Sequence, residues 1–351
     1  MRSFDYSTLK EKTWDHEIIS LIAQIHEYKG RQEVYLKQKP EELNKLVEIA
    51  KRQSTEASNA IEGIRTTNAR LKELCEEKTT PKNRDEEEIL GYRDVLNTIH
   101  ENYEYIPIRT NYILQLHRDL YKYTEKSIGG HFKISQNVIA AIDRNGKEYI
   151  LFTPLAPYET APAMDAICES YNKMIENDEL DAILLIPIFI HDFLCIHPFS
   201  DGNGRMSRLL TALLLYRSGY VIGKYISIES KIANNKDLYY KALEDCQSGW
   251  YENDEDVTPF VKCMLRIILA AYRDFEERVE LVSEKLPAKE MVRRAIYSKM
   301  GKLSKSDISE LCPSIGVKSV ELALKQLVDE GILEKKGLGR ATFYIRKDIN
   351  L

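Results

Sequence analysis

The sequence predicts a mainly α-helical protein with one β-hairpin set among the helices and a small helix-and-strand unit at its C-terminus. Three observations carry this. Apolar residues recur at helical spacing through long stretches, as in Leu43, Leu46, Val47, Ala50 and Ala57. Between Lys133 and Thr153 the period shortens: KISQNVIAAI and KEYILFT are β-rich runs around Asp143-Arg144-Asn145-Gly146, and Asn-Gly suits the positive φ angles of a tight hairpin turn. After Pro287, three short helical patterns are followed by two β-rich runs.

In chain order, the residues from Trp14 to Cys75 read as helical throughout, up to a polar break at Lys78-Thr79-Thr80-Pro81-Lys82-Asn83. A second helical block starts near Glu86, and Asn111 to Tyr123 forms another helix. A lone hairpin among helices is marginal, so the one at 133–153 is expected to dock on something. Pro154, Pro157 and Pro162 lead into further helices. In the C-terminal segment, helices at Lys289–Met300, Ser304–Leu311 and Lys318–Glu330 precede a strand from Gly331, a turn at Gly337-Leu338-Gly339 and the returning run ATFYI. That is a winged helix-turn-helix outline, in which Val320, Leu324 and Leu327 read as core. The boundaries expected are 1–84, 85–286 and 287–351.

At 351 residues the chain is too long for one compact core. Its 43% hydrophobic and 30% charged residues are ordinary for a soluble globular protein. Six scattered cysteines without a CxxC pair argue against a zinc site and for a reducing, cytoplasmic setting. The polar N-terminus shows no signal peptide. The most apolar run, Ala182 to Ile190, is broken by His191 and Asp192; it is too short for a membrane span and reads as a buried helix. The net charge of −5 is uneven: residues 288–351 carry 13 basic and 8 acidic side chains, so this tail could face an anionic partner.

Chemistry concentrates in Ile196-His197-Pro198-Phe199-Ser200-Asp201-Gly202-Asn203-Gly204-Arg205-Met206-Ser207-Arg208. A glycine-rich loop opening onto a helix presents backbone N–H groups and the positive end of the helix dipole to an anion. Gly202 and Gly204 lack a Cβ and let the backbone approach a phosphate. Arg205 and Arg208 share a face of the first helical turn, where they oppose the dipole unless an anion offsets them. Asp201 is a hard oxygen ligand suited to Mg²⁺, and His197 can exchange a proton near neutrality. An interhelical turn with solvated arginines and a core histidine would explain any one of these features. It does not call for a base, a metal ligand, an anion nest and a cationic clamp together. Their conjunction describes phosphoryl or nucleotidyl transfer.

The string is similar to the Fic signature, His-x-Phe-x-Asp/Glu-Gly-Asn-Gly-Arg-x-x-Arg, with every specified position present. IHDFLCIHPF resembles the central helix of that family, GGHFK the approach to its flap hairpin, and DLYYKAL with VTPFVKCML the helices after the loop. The resemblance covers roughly residues 85–275 and implies a Fic helical bundle with a β-hairpin flap. It also implies AMP transfer from ATP and Mg²⁺ to a Ser, Thr or Tyr hydroxyl of a target protein, with self-modification and homodimers as in relatives. His197 would be the general base and Asp201 would hold Mg²⁺. Gly202, Asn203 and Gly204 would hold the phosphates, with Asn203 directed at the α-phosphate. Arg205 would meet the β-phosphate and Arg208 the γ-phosphate. Tyr240 and Gln247 fall where relatives contact adenine; Tyr240 equally suits a packed helix aromatic. The hairpin resembles the flap that aligns a target by strand addition. His131-Phe132-Lys133 stands where many relatives have Tyr-Arg, so Lys133 reads either as a substrate-positioning group or as a solvated charge.

Upstream, Glu62 falls on the last turn of a helix capped by Gly63, where the dipole disfavours a carboxylate and invites a cation. Ser58 lies one turn earlier on the same face. Ser58-x-x-x-Glu62-Gly63 resembles the inhibitory motif of Fic proteins, which implies that Glu62 pairs with Arg208 and misplaces the γ-phosphate. Two other functions stay open. One is a DNA-binding regulator whose core only senses nucleotide, a reading that Lys318, Ser319 and Lys325 favour and Glu321 opposes. The other is removal of AMP, with Glu62 aligning a water. Transfer of phosphate alone is disfavoured, because phosphorylating relatives have lysine where this chain has Gly204.

Overall fold

The structure, a computed structural model, describes residues 2–38, 40–125, 128–142, 148–283, 287–297, 299, 301–312, 315–337, 339 and 342–347. The helices before the hairpin are α1 His16–Gln38, α2 Pro40–Ile61, α3 Asn68–Cys75, α4 Arg84–Asn102 and α5 Thr110–Leu120. The hairpin is β1 Ile139–Ile142 and β2 Glu148–Phe152. After it come α6 Pro157–Glu176, α7 Ala182–Ile196, α8 Asn203–Arg217, α9 Ile228–Asn234, α10 Lys236–Asp245 and α11 Thr258–Ser283. The chain ends with α12 Ala288–Tyr297, β3 Leu303–Ser304, α13 Lys305–Leu311, α14 Val317–Asp329, β4 Leu333–Lys336 and β5 Phe343–Arg346. No described helix is long and apolar enough to cross a membrane.

These residues form two compact units, Met1–Lys29 with Ala50–Ala271, and Gly30–Ile49 with Tyr272–Leu351. In the first, α7 and α8 pack on each other, with α6 against α7 and α4 against α8. Every α7 residue from Ile183 to Ile196 is buried. The polar pair His191-Asp192 therefore does not end this helix. Asp192 keeps its place because its carboxylate accepts from Arg2 Nη2 and Trp250 Nε1 at 2.7 Å and from Tyr6 Oη at 2.9 Å. Buried polar groups persist where they are satisfied in this way.

The stretch expected to be helical from Trp14 to Cys75 is interrupted. Helix α2 stops at Glu62, where Gly63 takes φ +82° and its N–H donates to the Ala60 carbonyl. The Ile64 N–H then reaches back to the Asn59 carbonyl at 3.0 Å, a closure that leaves no carbonyl for a further turn. Thr67 then caps α3 by accepting from the Arg70 N–H. The hairpin pairs antiparallel, Ala140 opposite Ile150 and Ala141 opposite Tyr149. Its expected turn, Asp143-Arg144-Asn145-Gly146, lies outside the described residues. The hairpin docks through Phe152, whose ring meets Trp250 and Tyr251 with centroids near 6 Å (5.9 and 6.0 Å).

In the second unit, α12, α13 and α14 enclose a core that includes Val292, Ile308, Val320, Leu324 and Leu327. The sheet order is β3-β5-β4, all antiparallel. Strand β3 has two residues, too few for any alternating pattern to reveal.

Candidate active site

Helix α7 ends at Ile196, and the next residue turns the chain into the loop. His197 takes φ 51° and ψ 61°, a left-handed conformation that a residue with a Cβ rarely adopts. Its N–H donates to Phe193 at 2.9 Å, and its Nδ1 lies 3.2 Å from the Leu194 carbonyl. A carbonyl can only accept, so Nδ1 carries the proton and Nε2 is left with its lone pair. Burial, partly offset by that carbonyl, pulls the His197 pKa down to about 4. The ring is neutral at neutral pH and competent to take a proton.

The rest of the loop is held from both sides. Phe199 is fully buried and stacks on the His117 ring at 3.7 Å. His117 Nδ1 accepts from the Gly130 N–H at 3.0 Å, which leaves Nε2–H to donate to the Asp201 carbonyl at 3.1 Å. Gly202 adopts φ +84°, and a Cβ there would lie 2.9 Å from Tyr121 Oη, so the position is closed to other residues by both backbone and space. Asn203 is bonded within the loop. Its Oδ1 accepts from the Phe199 N–H at 2.9 Å and its Nδ2 donates to the Phe199 carbonyl at 2.7 Å. These two bonds close the loop and leave the second Nδ2 hydrogen to a further acceptor.

The two arginines differ. Arg205 Nη2 donates to Tyr121 Oη at 2.8 Å and lies 2.8 Å from Glu88 Oε2. Its Nε and Nη1, though buried, have no partner among the described residues. Arg208 is spent on α2: Nε donates to Ser58 Oγ at 2.7 Å, and Nη2 donates to the Ser58 carbonyl at 3.0 Å and to Glu62 Oε1 at 2.7 Å. Burial opposes its charge, but the adjacent Glu62 carboxylate outweighs this and leaves its pKa raised. The dipole cost expected of two cations at the start of α8 is thus met by a carboxylate for each, Glu88 and Glu62. The Glu62 carboxylate reaches over the helix start so closely that a Cβ on Gly204 would lie 2.3 Å from Oε1.

One cavity of about 640 Å³ collects Glu62, His197, Asp201, Gly202, Asn203, Gly204, Arg205, Tyr240 and Gln247, together with Ile139, Tyr149 and Leu151 of the hairpin. Gln247 Oε1 is buried there without a partner among the described residues. Asp201 has 44% of its side chain exposed, and its Oδ1 accepts from the Gly202 N–H. Ser58 lies outside the lining, fully buried behind Arg208. Lys133 is only 2% exposed and is no solvated charge. It lies beneath the loop, with Nζ on the Ile196 carbonyl.

Sequence reasoning missed Glu88, His117, Tyr121 and Glu229. The last is a buried acid that accepts from Ser54 Oγ on α2 at 2.6 Å and from Tyr92 Oη at 3.0 Å. Each sits on, or for Tyr121 just after, a helix other than those of the motif, and none has a spacing relation to it that one sequence could reveal.

Residues 107–215 match the model of the Fic/DOC family, so a Fic/DOC domain occupies this part of the chain. The chain is 27% identical over 148 residues to a Fido domain-containing protein of Dictyostelium discoideum, covering 42% of this chain and 96% of that protein. It is 30% identical over 212 residues to the protein adenylyltransferase Fic of Drosophila yakuba, covering 58% of this chain and 38% of that relative's length. Among solved structures, a Fic family protein from Desulfovibrio desulfuricans G20 superposes with a TM-score of 0.62 at 21% identity, over 97% of this chain and 98% of that one. Fic-1 from C. elegans gives a TM-score of 0.54 at 19% identity, over 78% and 74% of the two chains. The mainly helical fold is that of these Fic proteins.

Proposed function

We propose that the chain transfers AMP from Mg-ATP to a hydroxyl side chain of a protein, and that Glu62 restrains the reaction by pairing with Arg208. The observation that carries this is the 2.7 Å contact between Glu62 Oε1 and Arg208 Nη2, across 146 positions of sequence, beside a histidine with a free Nε2 lone pair. The domain roles follow: residues 1–84 supply the brake, 85–286 the catalytic core and 287–351 a winged helix.

The residues fit a nucleotide. Arg205 Nε and Nη1 are buried donors that a phosphate oxygen would satisfy, and Gln247 Oε1 is a buried acceptor suited to an adenine amino group. Asp201 would hold Mg²⁺, which neutralises charge on the phosphates when bound. His197 Nε2 takes the proton of the target hydroxyl as its oxygen attacks the α-phosphorus; the α–β anhydride bond breaks and pyrophosphate leaves. Two hairpin residues two apart, Tyr149 and Leu151, line the same cavity, which suits a target strand laid beside β2.

The brake works through Arg208. With its Nε and Nη2 held by Ser58 and Glu62, the guanidinium cannot turn toward a γ-phosphate. A charge-assisted hydrogen bond of this kind is worth about 2 kcal/mol, or roughly 30-fold in an equilibrium. A second reading, removal of AMP, is favoured by one observation: the Glu62 carboxylate lines the cavity that holds His197 and could align a water there.

The test is labelling of purified protein with α-labelled ATP and Mg²⁺. Glu62→Gly should label itself at least ~30-fold faster than wild type. Equal labelling, with ATP bound by both, sinks the brake. Loss of label from a modified protein with wild type, but not with Glu62→Gly, would make Glu62 the catalyst of AMP removal instead.

A further inference from the structure

Residues 133–137, between the Gly129-Gly130 turn and β1, hold the catalytic loop by contacts that the proposed chemistry does not use. The Lys133 N–H donates to the Pro198 carbonyl at 2.9 Å, and its Nζ donates to the Ile196 carbonyl at 2.9 Å. Asn137 Nδ2 reaches the Phe199 carbonyl at 3.1 Å and the His197 carbonyl at 3.4 Å. Lys133 Nζ also donates to Asn137 Oδ1 at 2.9 Å, which joins the two side chains. Four successive carbonyls, from Ile196 to Phe199, are therefore gripped by one backbone N–H and two linked side chains.

The need for such a grip lies in His197 itself. Left-handed backbone at a residue with a Cβ persists only where its surroundings over-determine it. The final carbonyl of α7, at Ile196, sits at the negative end of the helix dipole and favours a cation. Lys133 supplies one at 2% exposure, a burial that lysine rarely tolerates, and both oxygens its Nζ contacts are neutral. Burial draws its pKa down to about 8, and its nearby charge adds to the burial that depresses His197.

We propose that Lys133 and Asn137 are positioning residues for His197. They fix the carbonyls on either side of it, so that the imidazole keeps Nδ1–H on Leu194 and presents Nε2 for proton transfer. This rests on the reading of His197 as the base. It gives the departure from the Tyr-Arg pattern a role inside the loop, not on the target.

The experiment compares Lys133→Met and Asn137→Ala, each in full-length Glu62→Gly protein, with that parent. Both should lower kcat by about tenfold or more while the KM for ATP stays within about twofold, because the phosphate and adenine contacts are untouched. His197, assigned by the signal lost in His197→Ala, is titrated by NMR in the same proteins and in wild type. Lys133→Met should raise its pKa by about one unit or more, since a nearby positive charge is removed. A proportional rise in KM, or a His197 titration that stays put while kcat falls, would overturn the positioning role. If Lys133→Met does not fold, Asn137→Ala decides by its kcat-against-KM split, as Lys133 Nζ keeps the Ile196 carbonyl. If the Glu62→Gly parent transfers no AMP, the proposed function fails; the His197 titrations of that parent and of its Lys133→Met variant still decide this inference, because they need no turnover.

Discussion

The two arginines that open α8 are one helical turn apart, yet they are wired in opposite ways. Arg205 is anchored at Nη2 by Tyr121 and Glu88, and its Nε and Nη1 have no partner among the described residues. Arg208 has its Nε and Nη2 bound to α2. The contrast separates two tasks. On the proposed function, the Arg205 side is a preorganised anion site. The Arg208 side is then a contested one, where the Glu62 carboxylate and a phosphate compete for one guanidinium.

The comparison is broken most severely at the base, on which both sides depend. His197→Ala in the Glu62→Gly protein should cut AMP transfer by at least ~10²-fold with ATP affinity nearly unchanged, read by single-turnover labelling and calorimetry. The same assay run against pH should show no loss near 6.5. The folded pKa of about 4 lies below the ordinary histidine value, so the active neutral form persists until pH falls toward 4. An acid limb centred near 6.5 would contradict the buried, neutral ring.

Next in size is the contested arginine. Adding Arg208→Ala to Glu62→Gly should remove most of the ~30-fold gain, because the γ-phosphate loses the group that the brake had withheld. A double variant as active as Glu62→Gly would mean that the carboxylate acts elsewhere.

A smaller effect tests how the brake helix is held. Glu229→Ala strands the Ser54 and Tyr92 hydroxyls, each at a cost of about 1–3 kcal/mol, and loosens the face of α2 that carries Ser58. Self-labelling of the otherwise wild-type chain should rise about threefold, with a lower Tm, and the Glu62→Gly protein should gain nothing further. The smallest change is expected in the tail. Lys318→Glu with Lys325→Glu on the exposed side of α14 should leave AMP transfer within about twofold, since such surface positions touch no chemistry.

What the sequence disclosed follows the same division. The loop from His197 to Arg208 could be read because its chemistry is contiguous, and Ser58 with Glu62 because one helical turn links them. The helices before and after the loop were legible from their apolar period. The partners that make the loop specific were not. Glu88, His117 and Tyr121 look like helix-surface residues until the fold turns them inward, and Glu229 follows a serine cap like any first-turn acid. Asn203 was recognised, but its two bonds to Phe199 were not, since a motif states which residue is present and not which of its hydrogen bonds are already spent. For Lys133 the sequence left two readings, because nothing in GGHFK tells a buried ammonium from a solvated one.

The contact between Gly204 and Glu62 has a consequence for how this chain can diverge. The space that a side chain at 204 would need is the space the Glu62 carboxylate fills. A codon change that adds a carbon there obliges the Glu62 carboxylate to shift, and its bond to Arg208 shifts with it. On the proposed function, a substitution at 204 therefore bears on restraint as well as on the phosphate loop.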